Sequence, residues 1–180
     1  MSPHDKPKKD KPLIEDVIPK FLGGEKKKLA LEFVAHLRAN KMKPVWTATN
    51  AWRANYKGKL ICYIKLGADA VAERPDPPAW MVTVHHAHMS TYENIVIGEG
   101  LRNIFWDNVV HCVHDPQNDF PVHHCNPNKG CAGGRRLMRF DKEFAGVCQC
   151  SISSLWVRDP DETAINSIKR LLELEQKART

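Results

Sequence analysis

The stretch 45-VWTATNAWRANYKGKLICYIKL-66 decides the fold. Branched and aromatic residues run through it, and Lys57-Gly58 interrupts them where a tight turn would reverse the chain, so the segment predicts a β-hairpin. Trp52, Tyr56 and Tyr63 fall on its strands with Arg53, Lys57, Lys59 and Lys65 interleaved. Such a surface can stack bases or another flat ligand, which makes Trp52, Tyr56, Lys57, Lys59 and Tyr63 the candidate ligand-binding set. The plainer reading of the same pattern is strand alternation, in which half of the aromatics face a core and the lysines solvate the opposite face.

Outward from the hairpin, 80-WMVTVHH-86 alternates like a third strand, and 67-GADAVAERPDPPA-79 is a loop by its three prolines. On the N-terminal side, Leu29, Phe33, Val34 and Leu37 recur at helical spacing between Glu25 and Met42, and Pro44 ends that helix. Before it, 13-LIEDVIPKFLGG-24 is broken by Pro19 and closed by paired glycines, so it is expected to be an apolar loop over the core's edge. Ser90 and Glu93 form a capping-box pattern that opens a helix towards Val109. The runs 136-RLMRF-140 and 152-ISSLWV-157 are expected strands. Asp159 as N-cap and Pro160 at the first helical position open a final helix to about residue 177, with Ile165, Ile168, Leu171 and Leu172 on its core face.

Helices at the start, middle and end of the chain around short hairpins predict an α+β fold, a small antiparallel sheet packed with about three helices. One domain is expected over 13–180, preceded by a disordered basic tail over 1–12, where 5-DKPKKDK-11 carries four lysines against two aspartates. An apolar fraction of 42% with 27% charged residues excludes a wholly disordered chain. The net charge of +6 is mild once the tail is set aside, so charge alone leaves nucleic acid as one possible partner among others. No run approaches the roughly 20 apolar residues that span a bilayer, and the start lacks a secretory apolar segment. A cytoplasmic protein with no membrane partner is expected.

That compartment changes the meaning of the cysteines. Where thiols stay reduced, clustered cysteines bind metal or react more often than they pair. Cys125 and Cys131 bracket a Gly/Pro/Asn-rich turn, 125-CNPNKGC-131, with Cys148 and Cys150 downstream and Cys112 upstream. Tetrahedral zinc takes four thiolate or imidazole ligands, and a loop poor in apolar residues gains folding free energy from such a staple. Four of Cys112, Cys125, Cys131, Cys148 and Cys150 are therefore expected to hold structural zinc, within a cysteine-rich segment over 112–150. The competing readings are packed free cysteines and a thiol-based enzyme or redox sensor, although no CxxC pair occurs. The run 85-HHAH-88 is a second, weaker candidate for a transition metal. None of GxxxxGK[ST], GxGxxG, GxSxG or HExxH is present, and no catalytic residue is nominated.

The runs 37-LRANKMKPVW-46, 52-WRANYKGKLICYIKL-66, 92-YENIVIGEGLRNIFWDNVVHC-112 and 142-KEFAGVC-148 together resemble a family of small bacterial proteins with a Trp/Tyr hairpin and a C-terminal group of cysteines, the YdhG-like α+β class. The resemblance covers residues 28 to 176, and the family's cysteines correspond to Cys112, Cys125, Cys131 and Cys148. Where that family has Gly-Lys-x-Phe, this chain has 141-DKEF-144. The resemblance implies the fold and no activity.

Overall fold

A computed structural model describes residues 11–48, 50–67, 78–109, 135–147 and 153–179, the side chain of Arg135 excepted. Its elements, in chain order, are α1 (Ile14–Phe21), α2 (Gly24–Ala39), β1 (Pro44–Ala48), β2 (Ala51–Tyr56), β3 (Lys59–Leu66), β4 (Trp80–His85), α3 (Met89–Gly98), α4 (Arg102–Asp107), β5 (Arg135–Arg139), β6 (Lys142–Val147), β7 (Ser154–Arg158) and α5 (Glu162–Ala178). The class is α+β, with five helices among the described residues where about three were expected.

The hairpin expected at Lys57-Gly58 joins β2 to β3, and both turn residues take positive φ, 48° and 77°. That geometry is the type I′ turn, whose twist matches the flanking strands. The run upstream of it is two strands. Asn50 takes φ 55°, the chain reverses, and β1 pairs antiparallel with β2. β3 then pairs with β4 and β4 with β7, all antiparallel, so the sheet order is β1-β2-β3-β4-β7.

Pairing across the five strands sorts the side chains into rows. Pro44, Ala54, Cys62, Val84 and Leu155 form one row, and Trp46, Trp52, Ile64, Val82 and Val157 the next. These rows face the helices, and all ten residues belong to or pack against a single core with Phe33 and Leu37 of α2 and Ile168 and Leu172 of α5, save Pro44, which is itself buried. Between them runs a row of opposite facing, Val45, Arg53, Tyr63, Thr83 and Trp156, none of which belongs to that core. The fold is thus two layers, helices over one face of an antiparallel sheet.

Four expectations need correction. The segment expected as a loop before α2 is helix α1, because Ile14, Val17 and Ile18 are buried on one side of it and outweigh the bond that Pro19 cannot donate. Arg38 of α2 grips Glu15 of α1 through one guanidinium edge, Nε donating to Oε1 and Nη2 to Oε2, the latter at 2.9 Å. The helix expected from Ser90 to Val109 is two: Leu101 N–H donates to Val96 and Gly100 N–H to Ile97, with Gly100 at φ 71°, which is a Schellman stop. Its N-cap is His88 and no side chain caps it, so the Ser90/Glu93 box does not form.

The last helix starts two residues later than expected. Asp161 is the N-cap, accepting from Ala164 N–H at 2.8 Å, whereas the Asp159 carboxylate accepts from Ala79 N–H and pairs with Lys26, tying β7 to the start of β4. The strand β6 was not expected at all. Phe140 at φ 58° turns the chain, and β5–β6 form a separate two-stranded hairpin. No helix of the described residues is long and apolar enough to cross a membrane. The tail over residues 1–10 lies outside the described residues.

Candidate functional site

The outward row crosses all five strands and carries a cation and two aromatics: Arg53, Tyr63 and Trp156. A second outward row, Ala51, Lys65, Met81 and Arg158, adds two more cations. Exposure falls from β1 to β4 and rises again on β7, where Trp156 is half-buried. Val45 is 43% exposed and Arg53 is exposed, Tyr63 is half-buried, and Thr83 is 7% exposed. The most exposed part of this row therefore lies over β1 and β2, bordered by the half-buried Tyr63 of β3.

Its electrostatics follow from composition. The five strands of this sheet contain no Asp or Glu, while Arg53, Lys59, Lys65 and Arg158 sit on them and Lys57 on the hairpin turn. In a chain with 21 acidic residues, the charges that these strands themselves carry are all positive. This signal was legible in the sequence as a strand-by-strand count. The hairpin reading reached Arg53 and Lys65, but Trp156 and Arg158 join them only through the β4–β7 pairing.

The candidate ligand-binding residues divide accordingly. Tyr63 lies on the outward face, its ring edge-to-face with His85 at 6.0 Å. Lys57 and Lys59 are exposed, and the Lys57 ammonium stands 5.7 Å from the Tyr56 ring, which is itself half-buried against the core. Trp52 does not take part. It is 1% exposed on the inward face, and its indole N–H donates to Pro12 O at 3.0 Å, because the pleat places it one residue out of phase with Arg53.

The histidines of 85-HHAH-88 have separate environments. His85 Nδ1 lies 3.2 Å from the Ser154 hydroxyl, and burial with the nearby Arg179 charge lowers its pKa. His86 is buried in edge-to-face contact with Phe105, its Nε2 has no partner among the described residues, and burial with Arg139 holds its pKa at about 4. His88 meets Glu175. No group of three or more His, Cys, Asp and Glu among the described residues is arranged to hold a metal, so this run does not form a metal site among them.

Glu175 is 0% exposed and is held by bonds from three residues. It accepts from Tyr92 Oη and Arg179 Nε, both at 2.8 Å, and from His88 N–H at 3.2 Å. His88 Nδ1 lies 2.8 Å away, and an acceptor-only carboxylate requires that nitrogen to carry the hydrogen. Burial alone would raise the Glu175 pKa, but the donors from His88, Tyr92 and Arg179 outweigh it and hold the carboxyl below its ordinary range. Chemically this resembles a carboxylate-oriented imidazole. The bonds tie the start of α3 to the end of α5.

The hairpin β5–β6 is fastened to α4. Trp106 Nε1 donates to Arg139 O at 3.1 Å, Arg102 pairs with Asp141 at 3.0 Å, and the Arg102 and Lys142 cations lie 5.0 and 5.3 Å from the Trp106 ring. Beside it Phe105, Val109, Leu137, Val147 and Ser154 line a cavity of about 10 Å³, room for roughly one water. The five candidate zinc ligands, Cys112, Cys125, Cys131, Cys148 and Cys150, lie outside the described residues. The one described cysteine, Cys62, is buried in the sheet's inward face, and burial raises its thiol pKa far above the ordinary value, which makes it inert.

No family model, no curated protein and no solved structure matches the chain.

Proposed function

We propose that this chain is a non-catalytic binding protein that takes an anionic macromolecule on the outward face of its five-stranded sheet, over β1, β2 and β3. The observation that carries this reading is the absence of any carboxylate from the sheet, together with Arg53 and Lys65 on outward rows beside Tyr63. Cations grouped on one face attract a polyanion at long range and hold it by releasing its counterions. The YdhG-like resemblance of residues 28–176 adds no activity to this reading.

Heparin serves as a sequence-free probe. The chain is expected to bind it with an affinity that falls steeply with salt, and Arg53→Glu is expected to weaken binding severalfold at unchanged stability. Equal binding by the parent and by Arg53→Glu would remove this face from the interaction.

A structural zinc held by four of Cys112, Cys125, Cys131, Cys148 and Cys150 is the companion proposal. Its support is that the described ends of both cysteine-bearing stretches meet at one small cavity, where Val109, Val147 and Ser154 come together. The expected result is about one zinc per chain, with four thiols becoming reactive after chelation. A metal-free native protein whose thiols react without chelator would replace the zinc with a thiol enzyme or redox sensor.

A further inference from the structure

Resting on that reading of the outward face, we infer that the anionic macromolecule is single-stranded nucleic acid, with Tyr63 as the platform on which an unpaired base stacks. A charged polymer without bases needs cations and nothing else. This face offers more, because the same cross-strand row that carries Arg53 places Tyr63 directly opposite it, and Lys65 lies two residues along the strand on the same side. Neighbouring strands are about 4.8 Å apart and alternate residues on one strand about 7 Å apart, so ring and cations lie within one nucleotide's reach of each other. Sheets with helices on one face and aromatic and basic residues on the other can bind unpaired bases in this way, since every base has a face to stack and every nucleotide a phosphate to neutralise.

The chemistry also separates a single strand from a duplex. A duplex hides its base faces in its own stack, so a flat sheet meets only phosphates and Tyr63 contributes little. The ring is the discriminating element. Tyr63 is half-buried, and its ring meets that of His85 in an edge-to-face contact that fixes its orientation.

The test is fluorescence anisotropy with a labelled mixed-sequence DNA strand of about twelve nucleotides, within the range that comparable sites cover. A duplex of the same length and heparin serve as competitors. The strand is expected to bind at least about 10-fold more tightly than the duplex. Tyr63→Ala is expected to lose about 10-fold in affinity for the strand and little for heparin, and Tyr63→Phe to retain it. Arg53→Gln should lower the slope of log affinity against log salt by roughly 0.7.

Strand, duplex and heparin binding alike, with Tyr63→Ala without effect, would overturn the single-strand inference and leave the polyanion face in place. No binding to any of the three at low salt would overturn both. Because Tyr63 lies outside the core, Tyr63→Ala is expected to fold; if it does not, strand preference over duplex and the Tyr63→Phe and Arg53→Gln variants decide the question by themselves.

Discussion

Glu175 shows how costly one buried, fully bonded carboxylate is to remove. Its carboxylate and the Arg179 guanidinium form a nearly dry ion pair, with side chains 0% and 5% exposed. Deleting one member of such a pair leaves the other charge buried and uncompensated, at a cost of about 3 to 5 kcal/mol. Glu175→Ala is therefore expected to lower the urea midpoint sharply, with Tyr92 and His88 also losing their acceptor. A loss under about 1 kcal/mol would mean that Arg179 swings out to water. The sequence did not single out this residue. Glu175 sits next to Leu174 on a helix with a clear apolar spacing, and a charged residue on such a helix is ordinarily assigned to solvent. Only the arrival of Tyr92 and His88, more than eighty positions away in the chain, explains its burial.

Among the elements, the junction of α3 and α4 offers a test with two signs. Gly100 is at φ 71° with nothing within 4 Å of an added Cβ, so Gly100→Ala adds backbone strain alone and should destabilise by about 1 kcal/mol. Gly98, two residues earlier, is the last residue of α3, also with open space around it. Gly98→Ala should be neutral to stabilising by up to roughly 0.5 kcal/mol, through the helix propensity it gains. Thermal unfolding of the two variants checks this, and a gain at Gly100 would contradict the Schellman geometry. Elements whose signal is local were legible: β2, β3 and their Lys57-Gly58 turn, β4, α2 and the core face of α5. Those that tertiary contacts decide were not. The α1 sequence contains a proline and forms a helix because Ile14 and Ile18 are fully buried. Asp159 looks like an N-cap, but it is drawn to Ala79 and Lys26.

At the scale of the whole molecule, acid should loosen the fold in two stages. His86 has a folded pKa of about 4 against an ordinary value near 6.5, so the unfolded chain binds the proton more readily across that window. Its contribution is present above about pH 6.5 and is lost as pH falls towards 4, roughly 3 kcal/mol at the order of magnitude. The Glu175 carboxyl, also depressed on folding, adds stability above its ordinary pKa of about 4.3 that is lost as pH falls through its folded value. The urea midpoint is expected to drop between pH 7 and pH 4.5, and His86→Leu to flatten most of that drop. An unchanged pH profile in the variant would place the acid sensitivity elsewhere.

The class and the antiparallel hairpin were legible from the chain alone, because strand alternation and turn residues are properties of short stretches read in order. Which aromatic faces which way was half legible: Tyr63 and Trp52 both sit on predicted strands, but only the register against β1 and β4 puts one outward and the other in the core. Tertiary structure alone decided that Arg158 and Trp156 lie on the same face as Arg53, that Glu175 is buried, and that Val109, Val147 and Ser154 meet. Each of those depends on residues far apart in the chain closing on one another, and the free energy that selects such a closure comes from the whole core at once.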